Sequence, residues 1–429
     1  MLIWPKKKAL ILKTHSPDKI LNIMPSARSF TVKGAPLIAV PHRTLETQLL
    51  RNLGYDAPAP IRTYYQWPGR FKPFHAQKEA AAFLSMHRRA FNLSELGTGK
   101  SLASLWAYDY LRSMGQMNKC LVISPLSTLE RTWADELFHH FPHLTYTVLY
   151  GSKEKRIKLL KEDFDVYIIN HDGVGIIEPH LVTRTDIDLV IVDEVAQCAR
   201  NASTTRWKKI NLVVNRHREP RACWGMSGTP TPNAPTDAWA QCRLIVPEAV
   251  PPYFNRFKGT VMKQLTQFKW EAKAESTEIV RKIMQPSVRF TRDECLDLPR
   301  AVTLTPEQNK AYKEMVAKLR TEAEHGEITA VNEAVKMGKL VQIGCGVVYA
   351  NDGSEVSIPA TSRVAEARNI VASAEGKVIV FVPYVSSVKM LAKELANDFS
   401  VEIIHGGVSK SERDRIFKSF QKDKDPKVL

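Results

Sequence analysis

The stretch FNLSELGTGKSLASLW, residues 91–106, decides the fold of this chain. Its second half matches a phosphate-binding loop of the pattern G-x-x-x-x-G-K-[ST] at Gly99, Lys100 and Ser101, but Ser94 stands where the pattern has its first glycine. Backbone N–H groups of such a loop point at phosphates, and the helix that follows presents the positive end of its dipole. The residues after the lysine repeat apolar side chains at helical spacing, as that helix requires.

The loop predicts ATP and magnesium as cofactors. Gly97 and Gly99 would let the backbone approach the phosphates, with Thr98 between them in the same binding segment. Lys100 would contact the terminal phosphates, and the hydroxyl of Ser101 would bind the magnesium ion. The alternative is that Gly-Thr-Gly-Lys-Ser forms only a loop and a helix cap.

A second run, DLVIVDEV, ends in two adjacent carboxylates, Asp193 and Glu194. Ligands of open α/β sheets bind at the carboxyl ends of strands, where this pair would lie. We predict that Asp193 shares the magnesium ion with Ser101. Glu194 would be the base for the attacking water, and Lys100 the third catalytic residue. Adjacent acids also occur at strand ends by chance, so this assignment depends on the phosphate loop.

Strands and helices alternate around these two motifs. Short runs rich in Val and Ile, such as LVISP, TYTVLYG and FDVYIIN, are typical of strands buried on both faces. Helical spacing predicts helices over residues 101–114, 126–141 and 153–162 between them. The alternation predicts an α/β fold with a parallel sheet and helices on both faces.

The pattern divides the chain into four regions. Residues 1–61 contain short alternating segments such as SFTVKG and predict a small β-rich accessory region. Residues 62–249 are expected to form the ATP-binding lobe, residues 250–300 a helical extension of it, and residues 301–429 linker helices and a second α/β lobe. In the last region, KVIVFVP and VEIIHGG predict strands, and residues 385–396 and 409–421 predict helices.

The composition is that of a globular protein with no membrane segment. Hydrophobic residues make up 44% of the chain and charged residues 25%, and no apolar run approaches the roughly 20 residues that a bilayer requires. The net charge of +16 would attract a polyanion, although many proteins are basic for no specific reason. The six cysteines form no C-x-x-C pair, so no zinc site is indicated and a reducing, cytoplasmic location is expected.

Three motifs in order, SELGTGKS, VIVDE and MSGTP, resemble the first three motifs of superfamily 2 helicases, specifically the Snf-type DNA translocases. In that family the loop commonly opens with an acidic or small residue, so Ser94 fits it. The segment FKPFHAQKEAAAFL implies that Gln77 senses adenine. The segments LVISPLSTLERTWADEL and IINHDG look like those that line the nucleic-acid path, and IIHGGVSKSERDRIFKSF looks like an opening motif of a second RecA-like lobe.

The resemblance implies an ATP-dependent motor on double-stranded DNA, built from two RecA-like lobes. It implies that Ser227, Gly228 and Thr229 couple the nucleotide state to the nucleic acid. By the same resemblance, the candidate DNA contacts are Pro125, Ser127, Asn170, His171, Tyr384 and Gly406.

The sequence departs from the family in two places. Ala196 stands where most relatives have histidine, and no Q-x-x-G-R-x-x-R segment is present. We therefore expect an incomplete second lobe and a further segment or separate polypeptide that supplies the rest. RNASTTRWK and SGTPTPNAPTDAWAQ resemble short phage-borne members, which would place the protein in a host cytoplasm. An ATP-binding DNA scaffold or clamp with little turnover, and an RNA-unwinding enzyme, are the alternatives.

Other residues permit two interpretations. The basic clusters at residues 206–209 and 216–221 could bind phosphates or form solvated surface. Trp133 and Trp239 lie at helical apolar positions, which favours core packing over base stacking. The histidines at positions 139, 140 and 143 have no further ligand at a suitable spacing, so we expect surface residues and not a metal site.

Overall fold

The computed structural model describes residues 1–14, 16–32, 34–217, 219–267, 269–291, 300–324, 330–350, 352, 354–374 and 376–429, without the side chains of 318–324 and 330–336. Arg218 of the second basic cluster and residues 292–299 of the predicted helical extension lie outside this description. The chain forms two compact units, Met1–Cys295 and Leu296–Leu429.

The first unit begins with a four-stranded antiparallel sheet. Its strands are β1 (Leu2–Trp4), β2 (Ala9–Leu12), β3 (Arg28–Val32) and β4 (Ala35–Pro41), in the order β1-β2-β4-β3. Helices α1 (Pro17–Ile23) and α2 (Thr44–Asn52) accompany it, and Leu10, Leu12, Ile38 and Val40 belong to its buried core. This sheet agrees with the small β-rich amino-terminal region that the predicted fold class includes.

A seven-stranded sheet of parallel strands forms the centre of the first unit. Its first six strands are β5 (Arg89–Asn92), β6 (Lys119–Ser124), β7 (Tyr146–Val148), β8 (Val166–Asn170), β9 (Ile187–Val192) and β10 (Ala222–Met226). A hairpin of β11 (Met262–Gln264) and β12 (Trp270–Ala272) comes before the seventh strand, β13 (Ser287–Val288). The sheet order is β13-β5-β10-β9-β6-β8-β7, with every pair parallel.

Helices accompany both faces of this sheet. They are α3 (Ile61–Tyr64), α4 (His75–Ser85), α5 (Lys100–Ser113), α6 (Asp135–His140), α7 (Lys153–Lys161), α8 (His171–Thr183), α9 (Val195–Cys198), α10 (Thr205–Asn215), α11 (Asp237–Ile245), α12 (Phe254–Val261) and α13 (Ser276–Ile283). Short 3-10 turns cover Pro5–Lys7, Leu126–Thr128 and Pro247–Ala249.

Alternate side chains of each central strand enter two different cores, which explains the continuous apolar runs in the sequence. In β6, Leu121 and Ile123 join the core that includes residues of α8 and α10. Cys120 and Val122 join the core that includes residues of α4 and α5. Both faces are thus removed from water, as the Val- and Ile-rich runs predicted.

The predicted helix over residues 126–141 is wrong as a single element. The chain forms the 3-10 turn Leu126–Thr128, then a π-helical turn over Leu129–Ala134, and only then α6. A π turn contains an extra residue relative to an α-helix and often occurs at functional sites. This π turn carries Trp133, whose indole N–H donates to Asp193 at the end of β9. The interruption of the α-helix thus coincides with a contact to the central sheet.

The described part of the second unit contains two helices, then two short paired strands, then three helices. They are α14 (Pro306–Glu324), α15 (Ala330–Cys345), β14 (Val347–Tyr349), β15 (Glu355–Ser357), α16 (Thr361–Ser373), α17 (Val385–Leu395) and α18 (Lys410–Lys422). The predicted strands KVIVFVP and VEIIHGG form only single parallel bridges to Val428, at Val378 and at Val401. Among the described residues, no helix combines the length and the apolar character that a membrane crossing needs.

The basic clusters and one histidine of the first unit are less exposed than the sequence suggested. Arg206 and Lys209 form ion pairs with Asp172 and Glu178 of α8. Arg221 is 5% exposed, so it is part of the interior of the first unit.

His140 is buried against Phe71 and Trp106, so its assignment to the surface is wrong. No group of three metal-binding side chains occurs in the described part of the chain.

The guanidinium of Arg221 holds together the ends of two helices. It donates hydrogen bonds to the carbonyls of Leu181 (2.9 Å), Arg184 (2.6 Å) and Val213 (2.9 Å). Burial lowers the pKa of Arg221 to about 10, so the side chain remains charged at neutral pH. Its contribution is therefore structural, and phosphate binding is not open to it.

We expect Arg221→Met to lower the free energy of unfolding of the first unit by about 3 kcal/mol, because three buried carbonyls lose a charged donor. Urea unfolding followed by tryptophan fluorescence measures this, since all eight tryptophans precede residue 295. Arg216→Met is the matched control at an exposed position of the same cluster. Equal effects of the two substitutions would contradict the structural role of Arg221.

Candidate nucleotide site

Two glycines of the loop between β5 and α5 adopt backbone conformations that other residues rarely adopt. Gly97 has φ of 80° and Gly99 has φ of 74°, both in the left-handed region. A Cβ atom at Gly99 would also lie 2.1 Å from Nε2 of Gln77. Any side chain at position 99 would therefore disturb both the loop and the glutamine beside it.

Ser94 has a structural partner that a glycine in its place would lose. It is 2% exposed, and its hydroxyl oxygen accepts a hydrogen bond from the N–H of Phe290 at 3.1 Å. The next residue, Glu95, donates its N–H to the carbonyl of Phe290 at 3.0 Å. The start of the loop is thus tied to the segment that follows β13, which accounts for serine at this position.

The ammonium group of Lys100 lies inside the loop. Nζ donates to the carbonyl of Glu95 at 3.0 Å, and the hydroxyl of Thr98 donates to the same carbonyl at 2.8 Å. Burial lowers the pKa of Lys100, whereas the nearby carboxylates of Glu194 and Asp193 oppose that shift. The lysine is therefore a partly desolvated cation that an anionic ligand would stabilise further.

Asp193 follows β9 directly and is held by hydrogen bonds from several elements. Its carboxylate accepts from the N–H of Glu194 at 3.0 Å and from the indole N–H of Trp133 at 3.1 Å. Its own N–H donates to the carbonyl of Ile123 at 2.8 Å. Burial raises the pKa of Asp193, and the two donors together with the charge of Lys100 counteract this effect.

Glu194 adopts an uncommon backbone conformation. Its φ of 47° and ψ of 50° are left-handed, and α9 begins at the next residue. Such a conformation costs of the order of 1–3 kcal/mol in a residue with a side chain, and it clusters at functional sites. Burial, followed by the neighbouring charge of Asp193, raises the pKa of Glu194. A raised pKa makes this carboxylate a better proton acceptor near neutral pH.

Gln77 lies beside the loop at the first turn of α4. Its side-chain oxygen accepts from the N–H of Phe74 at 2.8 Å, so the residue caps the helix. Its amide nitrogen lies against Gly99, as the close approach described above shows. The structure thus brings the predicted adenine-sensing residue to the phosphate loop.

The residues predicted to couple the sites lie after β10, next to β5 in the sheet. Ser227 is buried, and its N–H donates to the carbonyl of Asn92 at 3.2 Å. Its hydroxyl oxygen accepts from the N–H of Thr229 at 3.3 Å. A Cβ atom at Gly228 would lie 3.4 Å from the backbone nitrogen of Leu96, so this segment packs against the start of the loop.

The candidate DNA contacts of the first unit lie at the carboxyl ends of β6 and β8, which are neighbours in the sheet: Pro125 and Ser127 follow β6, Asn170 ends β8 and His171 begins α8. Ser127 is exposed, whereas Pro125 and Asn170 are half-buried. His171 is only 6% exposed, and its Nε2–H donates to the carbonyl of Asp193 at 2.9 Å. Burial lowers the pKa of His171, which keeps the ring neutral. His171 therefore orients the end of β9 and is unsuited to direct DNA contact.

The two candidate DNA contacts of the second unit differ in exposure. Tyr384 is half-buried, and its hydroxyl donates to the carbonyl of Gly338 at 3.3 Å. Gly406 is exposed, and its carbonyl accepts from the guanidinium of Arg413 at 3.2 Å.

Sequence reasoning missed two residues of the site. Trp133 is fully buried, as core packing predicted, but its indole donates to the Asp193 carboxylate. Four other tryptophans donate to backbone carbonyls instead: Trp106, Trp207, Trp224 and Trp239.

Glu136 is the second residue that the sequence did not reveal. Its Oε2 is buried without a hydrogen-bond partner among the described residues. Burial, assisted by the charge of Asp193, raises the pKa of Glu136 to about 8. The spacing W-x-x-E places both side chains on one side of a helical turn, and this pattern could have indicated that Glu136 lies near Trp133 and its partner.

Ser101 and Asp193 fit a magnesium ion in their chemistry. They offer a hydroxyl and a carboxylate oxygen, which are hard donors of the kind that magnesium prefers. Magnesium usually takes one or two carboxylates from the protein and completes its shell with water and phosphate oxygens. A protein contribution of two oxygens is therefore sufficient.

Two families match the chain. The SNF2-related domain matches residues 77–343, and the Helicase conserved C-terminal domain matches residues 362–429. A protein named p41 from Acyrthosiphon pisum secondary endosymbiont phage 1 is 25% identical over 275 residues, which cover 60% of each chain. YwqA of Bacillus subtilis (strain 168), whose name describes an ATP-dependent helicase/translocase, is 22% identical over 78% of this chain. The chain spans 60% and 38% of the lengths of these two relatives.

Solved structures of a Sulfolobus solfataricus protein are also similar. Its SWI2/SNF2 ATPase core in complex with dsDNA has a TM-score of 0.45 and 21% identity, and covers 84% of this chain and 78% of that one. The core without DNA has a TM-score of 0.41 and 22% identity, over 84% and 79% of the two chains. The SNF2-related match accounts for more than half of the 429 residues and includes the loop, the acidic pair Asp193 and Glu194, and Ser227 to Thr229, the candidate coupling segment. The chain therefore belongs to the SNF2-related family of ATP-hydrolysing enzymes within helicase superfamily 2.

Proposed function

We propose that this chain is an ATP-dependent motor that moves along or remodels double-stranded DNA. The observation that carries the proposal is the order of strands in the large sheet. The phosphate loop, the coupling segment and the acidic pair follow β5, β10 and β9, which are adjacent. The candidate DNA contacts of the first unit lie at the carboxyl ends of β6 and β8, which continue the same edge of the sheet. ATP chemistry and DNA contact would therefore occur side by side.

Each residue of the nucleotide site has a separate task in this proposal. The backbone N–H groups of the loop and Lys100 would hold the phosphates, and Gln77 would recognise adenine. Ser101 and Asp193 would hold magnesium, which supplies charge neutralisation on the phosphate oxygens. Glu194 would accept the proton of the attacking water. Trp133, as the donor to Asp193, would fix the orientation of that carboxylate.

The coupling segment gives the nucleotide state a route to the DNA. Ser227 and Thr229 are bonded to each other, and Gly228 packs against the loop. A shift of the loop would therefore be transmitted to the chain after β10. Pro125, Ser127 and Asn170 would contact the DNA backbone, with Tyr384 and Gly406 of the second unit as further contacts.

We also propose that a further segment or polypeptide completes the second lobe. The second unit has an apolar groove of about 260 Å³, lined by residues including Val380, Leu391 and Phe417. Phe381 at this groove is 92% exposed. Such a surface is compatible with additional structure packed against it.

We expect Lys100→Ala to weaken ATP binding roughly tenfold to a hundredfold, because it removes a charged donor at the terminal phosphates. Titration with a fluorescent ATP analogue in the presence of magnesium measures the dissociation constant. Lys155→Ala, at an exposed position of α7, is the control and should bind as the parent does. Equal affinities of all three proteins would place the nucleotide elsewhere.

We expect Glu194→Gln to keep ATP binding and to lower turnover roughly a hundredfold to ten-thousandfold, because the amide preserves the shape but cannot accept a proton. Phosphate release is measured with duplex DNA, single-stranded DNA and RNA as activators. Stimulation of the parent by duplex above the others supports the motor on duplex DNA. If no nucleic acid stimulates ATP hydrolysis by the parent, an ATP-binding scaffold or clamp is the better assignment. Undiminished turnover in the Glu194→Gln variant would show that another residue is the base.

We expect duplex binding to weaken steeply with salt and to show little sequence preference, because backbone phosphates supply most contacts of a motor. With roughly six phosphate contacts, affinity should fall about a thousandfold between 50 and 200 mM salt. Anisotropy titrations on two unrelated duplexes provide the measurement. A flat salt response, or a strong preference for one duplex, would argue against this mode of binding.

A further inference from the structure

The small sheet of β1 to β4 is covered on one face only. Side chains alternate between the two faces of a strand, and Leu10 and Leu12 of β2 enter the core beneath α1 and α2 together with Ile38 and Val40 of β4. The residues between them must therefore point to the opposite face. None of the residues of this core lies on that opposite face, which we call the open face.

Apolar and aromatic side chains occupy the open face. The strand register places Leu2, Ile11, Ala39 and Arg28 in one row across all four strands. Neighbouring positions of the same parity are Trp4, Phe30 and Val32, which lie on β1 and β3. Leu2 is 72% exposed, and Trp4 and Val32 are each 46% exposed.

The surroundings of the open face are strongly basic. Residues 1–56 contain nine Lys and Arg but only three Asp and Glu. Lys6, Lys7 and Lys8 are exposed in the turn between β1 and β2, at one end of the face. Lys13 is exposed directly after β2 and has the parity of Ile11, so it continues the open face.

The contacts between this region and the ATP-binding lobe run through its helical side. Gln48 of α2 donates to the carbonyl of Met86 at 2.5 Å. His42, just before α2, is bonded to the hydroxyl of Tyr64 at 3.0 Å. These two contacts lie on the helical side of the region, and Leu2, Trp4 and Val32 of the open face are exposed to solvent.

We propose that the open face binds single-stranded DNA, with bases stacked on Trp4 and Phe30 and phosphates paired with Lys6, Lys7, Lys8 and Lys13. Aromatic side chains on an open sheet stack with unpaired bases, which a duplex does not offer. A protein partner fits less well, because the cores of protein interfaces are depleted of lysine. This site is separate from the strand-end DNA contacts proposed above and does not depend on them.

The test uses the full chain without ATP and measures anisotropy of labelled oligo-dT of about 20 nucleotides and of a duplex of equal length. Because each stacked base contributes roughly 1–3 kcal/mol, Trp4→Ala with Phe30→Ala should weaken oligo-dT binding at least tenfold. Duplex binding and duplex-stimulated ATP hydrolysis should change less than about twofold, since they depend on the other site. Leu45→Ala is the matched control, because Leu45 is 63% exposed on α2.

A second variant removes charge and keeps the apolar face. Lys7→Gln with Lys8→Gln should weaken oligo-dT binding and reduce its salt slope by roughly 1.4, because two phosphate contacts are lost. Thermal unfolding verifies that both variants fold.

Unchanged oligo-dT affinity in both variants would overturn the proposal, as would equal losses on oligo-dT and duplex. Tighter binding of a uridine oligomer that is lost with the same substitutions would overturn the assignment to DNA. Self-association of the chain that disappears in the aromatic variant would show that a second copy covers the face. Loss of ATP hydrolysis in the Glu194 variant bears only on the motor function and leaves this proposal intact.

Discussion

The buried carboxylate of Asp193 is the constraint on which the arrangement of the site depends. A strand covered on both faces delivers this charge to a place with little water, where an uncompensated carboxylate would be costly. Hydrogen bonds from Trp133 in the π turn and from the N–H of Glu194, together with the charge of Lys100, offset that cost, and the backbone N–H of Asp193 fixes its position against β6. These partners belong to different elements. The site therefore forms only if the order of the strands, the π turn before α6 and the turn after β9 all bring their residues to Asp193.

Much of this fold can be predicted from the sequence, because strand burial and turn conformation each depend on a few neighbouring residues. Continuous apolar runs identify strands with two covered faces, and Gly97 and Gly99 identify a loop with positive φ. The bond from Trp133 to Asp193 spans 60 positions in the sequence and depends on strand order, so no local pattern reveals it. The same holds for Arg221 and His171, whose basic or polar character suggests surface while long-range contacts make them structural.

Ser94 illustrates how a departure from a motif can have a physical cause. Here the N–H of Phe290 needs an acceptor, and the serine hydroxyl provides it in a buried place. The serine therefore ties the start of the loop to the segment after the edge strand β13, and it leaves Gly97 to Ser101, the proposed phosphate-binding residues, unchanged. Glu194 is a different case, because its left-handed backbone carries a conformational cost that the fold must offset.

The hydrogen bond between His171 and the carbonyl of Asp193 makes two strand ends into one mechanical element. His171 is the first residue of α8, and Asp193 is the proposed magnesium ligand. If either residue moved alone, a buried carbonyl would lose its donor at a cost of about 1–3 kcal/mol. A joint displacement of Asp193 and the start of α8 preserves this hydrogen bond and therefore costs less than a displacement of either residue alone. Motion at the proposed metal-binding end of β9 would then displace the first part of α8, which runs from His171 to the non-helical Ile177, in parallel with the proposed route through Ser227.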